Sequence, residues 1–135
     1  DLKPHPWRGL KTRGSQRQIP LVGASLWAAK RIKETNSDAV YAFPRYNNTS
    51  TTNGNSASAA INKWLKTRVP EGCVIHSFRH SVRDRLREVQ CPADMIDQIG
   101  GWSTAGVGQA YGDGYNLNTL FHNMKDIQCH VSFKE

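Results

Sequence analysis

Four side chains between His76 and Tyr111 are of the types and spacing that phosphate chemistry uses. They lie in His76-Ser77-Phe78-Arg79-His80, in Gly100-Gly101-Trp102-Ser103 and in Gln109-Ala110-Tyr111-Gly112. A phosphodiester resists attack because its oxygens are already negative and gain charge as a nucleophile approaches, so a site for that reaction needs fixed cations or hydrogen-bond donors. Arg79 offers a bidentate fork for a non-bridging oxygen. His76, three residues earlier and so on the same face of a helix, is a second donor and a proton carrier. The Trp102 indole donates but cannot accept, which suits a phosphate ligand and not a base.

Each residue also has an ordinary role: Arg79 in a surface ion pair, His76 at a helix end, Trp102 in a core, Tyr111 as a half-buried aromatic. Taken singly, those roles are the commoner ones. Other chemistries fit less well. His76 and His80 stand at i and i+4, but no Glu completes a His-Glu-x-x-His zinc pattern, and Cys73 and Cys91 lack a Cys-x-x-Cys partner, so no metal site is expected. Gly106-Val107-Gly108 with Gly112 does not make Gly-x-Gly-x-x-Gly and follows no strand, so a nucleotide fold is not supported.

The combined pattern resembles the tyrosine recombinases, the phage-integrase family. It has His-x-x-Arg, then Trp, then Tyr nine residues later. Upstream, Leu10-Lys11-Thr12-Arg13-Gly14-Ser15-Gln16-Arg17-Gln18-Ile19-Pro20-Leu21 resembles that family's lysine-bearing hairpin. The resemblance implies a catalytic set of Lys11, His76, Arg79, Trp102 and Tyr111. Tyr111 would be the nucleophile, since its rival Tyr115 lacks the spacing from Trp102. A phenol with a reference pKa of about 10 needs an acceptor or a field favouring phenolate before it can attack. Lys11, with Arg13 as fallback, would protonate the leaving 5′-hydroxyl. His80 is expected to brace its helix and, with Arg8, Arg13, Arg17 and Arg83, to contact DNA. No cofactor or metal is required, because the phosphotyrosyl link keeps the bond energy.

The family's active site has a further arginine upstream of the hairpin. Nothing before Trp7 matches it, and the N-terminal DNA-clamping domain has no counterpart, so residues 1–135 are expected to be the C-terminal portion of a catalytic domain. By analogy the partners are double-stranded DNA and other protomers, as a tetramer on DNA or as a swapped dimer. Two alternatives remain at this point: DNA relaxation of the type IB topoisomerase kind, and a non-catalytic helix-turn-helix module.

Charge agrees with an anionic partner. The chain carries 18 Lys and Arg against 11 Asp and Glu, a net charge of +7. Residues 1–34 hold eight cations against two acids and residues 63–87 seven against two, whereas from Glu88 onward six acids face only Lys125 and Lys134. The cations therefore gather on the hairpin and around Arg79, as on a phosphate-binding face. Three cysteines, Cys73, Cys91 and Cys129, have no paired spacing, so no disulfide framework is expected. No signal peptide or membrane-length apolar run is present, and a cytoplasmic location is expected.

The elements that would position these groups are mostly helices. Trp7 to Leu21 reads as a β-hairpin turning at Gly14-Ser15. Val22, Leu26, Ala29 and Ile32 predict an amphipathic helix over 23–34, with Trp27 at its edge. Val40 to Phe43 reads as a small strand or buried turn, and 45–58 as a flexible polar loop. A helix capped by Ser56 or Ser58 follows, with Trp64 in the core. Phe78, Val82, Leu86 and Val89 predict a helix over 77–89 that keeps Arg79 and Arg83 off its apolar stripe. Pro92 suits the first turn of the next helix, buried through Met95, Ile96 and Ile99 and ended by Gly100-Gly101. A short glycine-weakened helix to Tyr111, a last helix over 118–127 and a tail around Val131-Phe133 complete the reading. The expected fold class is α-rich mixed α/β, with four to six helices and a small hairpin sheet.

Overall fold

The computed structural model describes residues 1–12, 15–102 and 114–128. Its five helices are α1 (Gly23–Thr35), α2 (Gly54–Leu65), α3 (Ser77–Glu88), α4 (Ala93–Gly100) and α5 (Leu117–Asp126). The expected helix at Tyr111 and the tail at Val131-Phe133 lie outside the described residues.

The core is built by the last three helices. Leu86 of α3, Met95, Ile96 and Ile99 of α4, Leu120 of α5 and the intervening Cys91 form one buried cluster, with Val82, Trp102, Tyr115, Met124 and Ile127 against its edge. α4 is short, but three of its eight residues are the predicted apolar set and all three are buried. It stops where Gly101 takes a left-handed conformation, φ 63°, which glycine adopts without steric cost. Pro92 stands one residue before the helix, at its N-cap, and not inside its first turn. α5 begins at Asn116, whose side chain accepts from the Thr119 N–H at 2.9 Å.

Hydrogen bonds tie these helices to one another. The Gln98 side chain donates to the Tyr115 carbonyl and accepts from the Tyr115 N–H, both at 2.8 Å, which fixes the approach to α5 against α4. Arg85 of α3 donates to the Ile127 carbonyl at 3.3 Å. The Ile75 N–H, just before α3, donates to Asn62 of α2 at 2.7 Å.

The expected hairpin over Trp7–Leu21 is not formed. Among the described residues there is no strand, only the isolated bridges Leu2↔Arg17, His5↔Arg8 and Asn47↔Thr52. Arg17 thus pairs with the lead-in segment, through N–H to carbonyl bonds of 2.8 and 3.0 Å, and the first arm folds back on itself at His5 and Arg8. Pro4, Pro6 and Pro20 supply no ladder donors, and the arms have no alternating apolar face to bury, so pairing does not propagate. The α-rich part of the expected class stands, and the small sheet reduces to single bridges.

Burial differs from expectation along the first half. Val40 is 87% exposed and Phe43 54%, so that run is neither strand nor buried turn. The polar segment 45–58 is partly structured: Asn48 Oδ1 accepts from the Ser50 and Thr51 N–H groups at 2.8 Å, and α2 begins inside it. The cap of α2 is Asn53, accepting from the Ser56 N–H at 3.0 Å, in place of Ser56 or Ser58. Trp64 is not in the core. It is 57% exposed, with the Arg68 guanidinium 4.4 Å from its ring centroid.

Candidate functional site: a guanidinium cluster at the end of α4

Three arginines converge on the turn that follows α4. Glycine at position 100 makes this turn possible: a Cβ there would overlap the Trp102 ring, so the indole can fold back over the helix end only because none is present. On the indole rest two guanidinium groups of α3, Arg79 at 4.2 Å from the ring and Arg83 at 4.9 Å. Such stacking is attractive because the ring face is negative, worth roughly 0.5–2 kcal/mol depending on solvent access. Their spacing of four residues puts both on one side of α3, the side that also carries the buried Leu86, whereas Phe78 and Val89 of the expected apolar stripe are exposed.

The third arginine comes from the N-terminal segment. Arg17 Nε donates to the Ile99 carbonyl at 3.0 Å and Nη1 to the Ser15 carbonyl at 2.9 Å. Its guanidinium lies on the Gly101 backbone, so close that a Cβ there would stand 2.5 Å from Nη1. The contact is with the negative, carbonyl-bearing end of α4, a favourable place for a cation. Burial, and then the charge of Arg79, lower the Arg17 pKa below its ordinary value.

Of the three, Arg83 has a carboxylate partner, Asp97 of α4, at 3.8 Å. Asp97 is itself buried, 4% exposed. No described carboxylate forms an ion pair with Arg17 or Arg79. The site is therefore a partly buried concentration of positive charge, and it would take an anion with several acceptor oxygens.

The sequence-nominated residues are distributed as follows. Arg79, Trp102 and Arg83 come together, and Arg17 joins them. His76 precedes α3, exposed, and its ring meets that of His80 edge to face at 5.3 Å. Lys11 and Arg8 are exposed on the N-terminal segment, and no hydrogen bond or ion pair links Lys11 to the arginine cluster among the described residues. Tyr111 and Arg13 lie outside the described residues.

Tyr115 is set apart as a nucleophile. Its hydroxyl donates to the Asp94 carboxylate at 3.0 Å, and this bond, followed by burial and the Asp94 charge, raises its pKa above the ordinary phenol value. Cys73 and Cys91 are free thiols. Cys91 is buried, and burial followed by the Asp94 charge raises its pKa, the opposite of what a reactive thiolate needs.

Sequence reasoning missed two parts of this arrangement. Asp97 as the carboxylate beneath Arg83 carried no signal, lying beside the apolar residues of a short helix. The position of Arg17 against Gly101 depends on the Leu2↔Arg17 bridge, though the Gly100-Gly101 pair preceding Trp102 was a visible sign of close approach.

No family model, no curated protein and no solved structure matches this chain. Among the described residues no helix is long and apolar enough to cross a membrane, and no three His, Cys, Asp or Glu side chains are grouped to hold a metal ion.

Proposed function

We propose that the chain binds double-stranded DNA and takes part in strand cleavage and rejoining of the tyrosine-recombinase type, as the C-terminal portion of a recombinase catalytic domain. The observation that carries this reading is the stacking of Arg79 on Trp102 at 4.2 Å. The two residues were nominated separately, by residue type and spacing, as ligands of one phosphate, and they lie in different helical units. Their meeting beside Arg17 and Arg83 supports the nomination.

In this reading the Tyr111 oxygen bonds to phosphorus as the bond to the 5′-oxygen breaks. The phenol proton passes to an acceptor, and the leaving oxygen takes a proton from Lys11, giving a 3′-phosphotyrosyl link and a free 5′-hydroxyl. That hydroxyl, or one from a partner strand, reverses the step. Arg79, the Trp102 N–H and His76 carry the charge that builds on the non-bridging oxygens. The work takes place on cytoplasmic DNA, with other protomers completing the assembly.

A helix-turn-helix mode is less favoured by the packing. α4 would be the recognition helix, but Met95, Ile96, Asp97, Ile99 and Gly100 are buried, leaving too little of its surface to enter a groove. Binding without chemistry remains the second reading, because the cluster alone would hold a phosphate. Covalent trapping separates the two. Incubated with a nicked duplex carrying its recombination site, the protein is expected to give a denaturation-resistant DNA adduct that Tyr111→Phe abolishes. An adduct that survives Tyr111→Phe would remove the assigned nucleophile, and absence of any adduct would favour the binder. Lys11→Ala should slow cleavage far more than it weakens binding, and equal losses would make Lys11 a phosphate contact.

A further inference from the structure

We propose that the trough between the end of α2 and the start of α3 is a docking site for an amphipathic helix of another protein, one that sets a large apolar side chain between the two helices and carries acidic residues along its rims. The proposal stands apart from the recombinase reading, because it uses neither the arginine cluster nor any residue assigned to strand cleavage.

The trough is formed before any partner arrives. Leu65, the buried residue of α2, lines it with Val69 and Pro70 from one side, and Val74, Ser77 and Phe78 line it from the other. The two sides are tied by the 2.7 Å bond from the Ile75 N–H to Asn62 Oδ1. Ile61 stands one turn before Leu65 on the same side of α2, so it extends the apolar surface along the helix. Ile61, Trp64, Val74 and Phe78 are all exposed, and large apolar groups therefore border the trough on both helices. A run of this kind is what a helix lays its apolar face into. The cavity at its centre, about 180 Å³, is smaller than the roughly 300–1,000 Å³ of a small-molecule pocket. It suits one anchoring side chain of a larger partner.

Charge selects the partner's chemistry. Between residues 39 and 83 the chain has six cations and a single acid, Glu71. Lys63, Lys66 and Arg68, in and just after the last turn of α2, are exposed and form no ion pair with a described carboxylate. Arg68 is laid on Trp64, 4.4 Å from the ring centroid, and its Nη1 donates to the Trp64 carbonyl at 3.0 Å and to the Thr67 hydroxyl at 3.1 Å. A cation is thus held at the border of the apolar surface. A helix with carboxylates beside an apolar stripe meets both features at once. A nucleic acid would satisfy the cations but leave Ile61, Val74 and Phe78 against a charged backbone, which disfavours it.

The trough also lies apart from the arginine cluster. Ser77, Phe78 and Ser81 line it from α3, whereas Arg79 and Arg83 share the other side of that helix with Leu86. A docked helix would leave the Arg79 stack on Trp102 untouched.

The test titrates the whole chain with three synthetic peptides of about 18 residues, roughly five helical turns. One has Leu and Phe at i, i+3, i+4 and i+7 with Glu on its rims, the second replaces each Glu by Lys, and the third scrambles the first. The acidic peptide is expected to bind saturably, moving the Trp64 indole N–H signal in NMR spectra and leaving that of Trp102 in place. Trp64→Ala and Phe78→Ala should each weaken binding about tenfold or more. Both positions are exposed, and unchanged far-UV circular dichroism would show that the variants fold. Lys63→Glu combined with Lys66→Glu should weaken the acidic peptide and admit the lysine one, as a reversal of charge requires. Equal binding of the acidic and scrambled peptides, or wild-type affinity in Trp64→Ala and Phe78→Ala, would overturn the proposal. So would displacement of the acidic peptide from Trp64 by a single-stranded oligonucleotide, which would make the surface one for nucleic acid. Concentration-dependent movement of the Trp64 signal without peptide would overturn it as well, by making a second copy of the chain the occupant.

Discussion

The two halves of the molecule solve the burial problem unequally. In α3, α4 and α5 the apolar stripes meet one another: Leu86 is fully buried and Leu120 is 1% exposed. In α1 and α2 they meet little: α1 buries no residue completely and α2 buries only Leu65, while Leu26, Trp27, Ile61 and Trp64 remain exposed. Both halves have the same helical periodicity, so periodicity defines a face without determining what covers it. The arginine cluster draws on both. Arg79, Arg83 and Trp102 belong to the packed half, where neighbours fix their rotamers, whereas Arg17 reaches it from the N-terminal segment by hydrogen bonds.

The largest expected effect tests this contrast directly. Leu86→Ala and Leu120→Ala should each cost about 2–5 kcal/mol, because both leave a void in a closed cluster. Leu26→Ala and Ile61→Ala should stay within about 0.5 kcal/mol, as expected of surface positions. Urea unfolding followed by far-UV circular dichroism measures all four. Comparable losses at Ile61 and Leu86 would mean that α2 is buried in solution and would end the comparison.

A pair of glycines sharpens it. Gly100→Ala places a methyl group in the Trp102 ring, and because the ring is wedged against the core the strain should cost about 1–3 kcal/mol. The Trp102 indole NMR signal should move with it. Gly54→Ala at the start of α2 meets nothing within 4 Å and should be neutral or gain up to about 1 kcal/mol by restricting the unfolded chain. An unshifted indole signal in Gly100→Ala would show that the ring does not lie over the helix end.

How much of this was legible depends on how local each feature is. α4 could be read closely, because Met95, Ile96 and Ile99 give the face and Gly100-Gly101 the stop. Both signals act within a turn of the chain. Trp102 after the glycines was legible for the same reason, but the α3 stripe was not: Phe78 and Val89 are exposed and Arg79 and Arg83 share the inward side with Leu86. Trp64 was misplaced because, among the described residues, the α2 face is covered at Leu65 and not at Trp64, and the hairpin was misplaced because Leu2, not Trp7 to Lys11, pairs with Arg17. The meeting of Arg17 with Gly101 is a long-range product of that pairing.

Two asparagine caps with similar side-chain bonds extend the comparison at smaller scale. Asn53 caps α2 and Asn116 caps α5, with acceptor distances of 3.0 and 2.9 Å. Removing either side chain should weaken its own helix by about 1 kcal/mol. In Asn116→Ala that loss should appear in the global unfolding midpoint, since α5 carries Leu120 in the core. In Asn53→Ala it should appear mainly as faster amide exchange within α2, with little change in the midpoint. Equal midpoint shifts would show that the two halves unfold as one unit.

The smallest effect concerns the link between α4 and α5, and it is read through pH. Tyr115 donates its hydroxyl proton to Asp94, so the folded state holds that proton to higher pH than the unfolded chain does. A pKa raised on folding contributes stability that is fully present below the unfolded value, about 10 for a phenol, and disappears as pH rises through the folded value. Tyr115→Phe should therefore be less stable than the wild type near neutral pH, and the difference should narrow in the alkaline range. Asp94→Asn removes the carboxylate that holds the proton, and it should flatten the same dependence while leaving the Gln98–Tyr115 backbone bonds in place. Cys91, raised by burial and then by the Asp94 charge, adds an alkaline loss of the same sign that the wild type and Tyr115→Phe share and Asp94→Asn reduces, so the wild type against Tyr115→Phe is the cleaner pair. A difference between those two that stays constant with pH would mean that the Tyr115–Asp94 bond contributes nothing to holding α5 on α4.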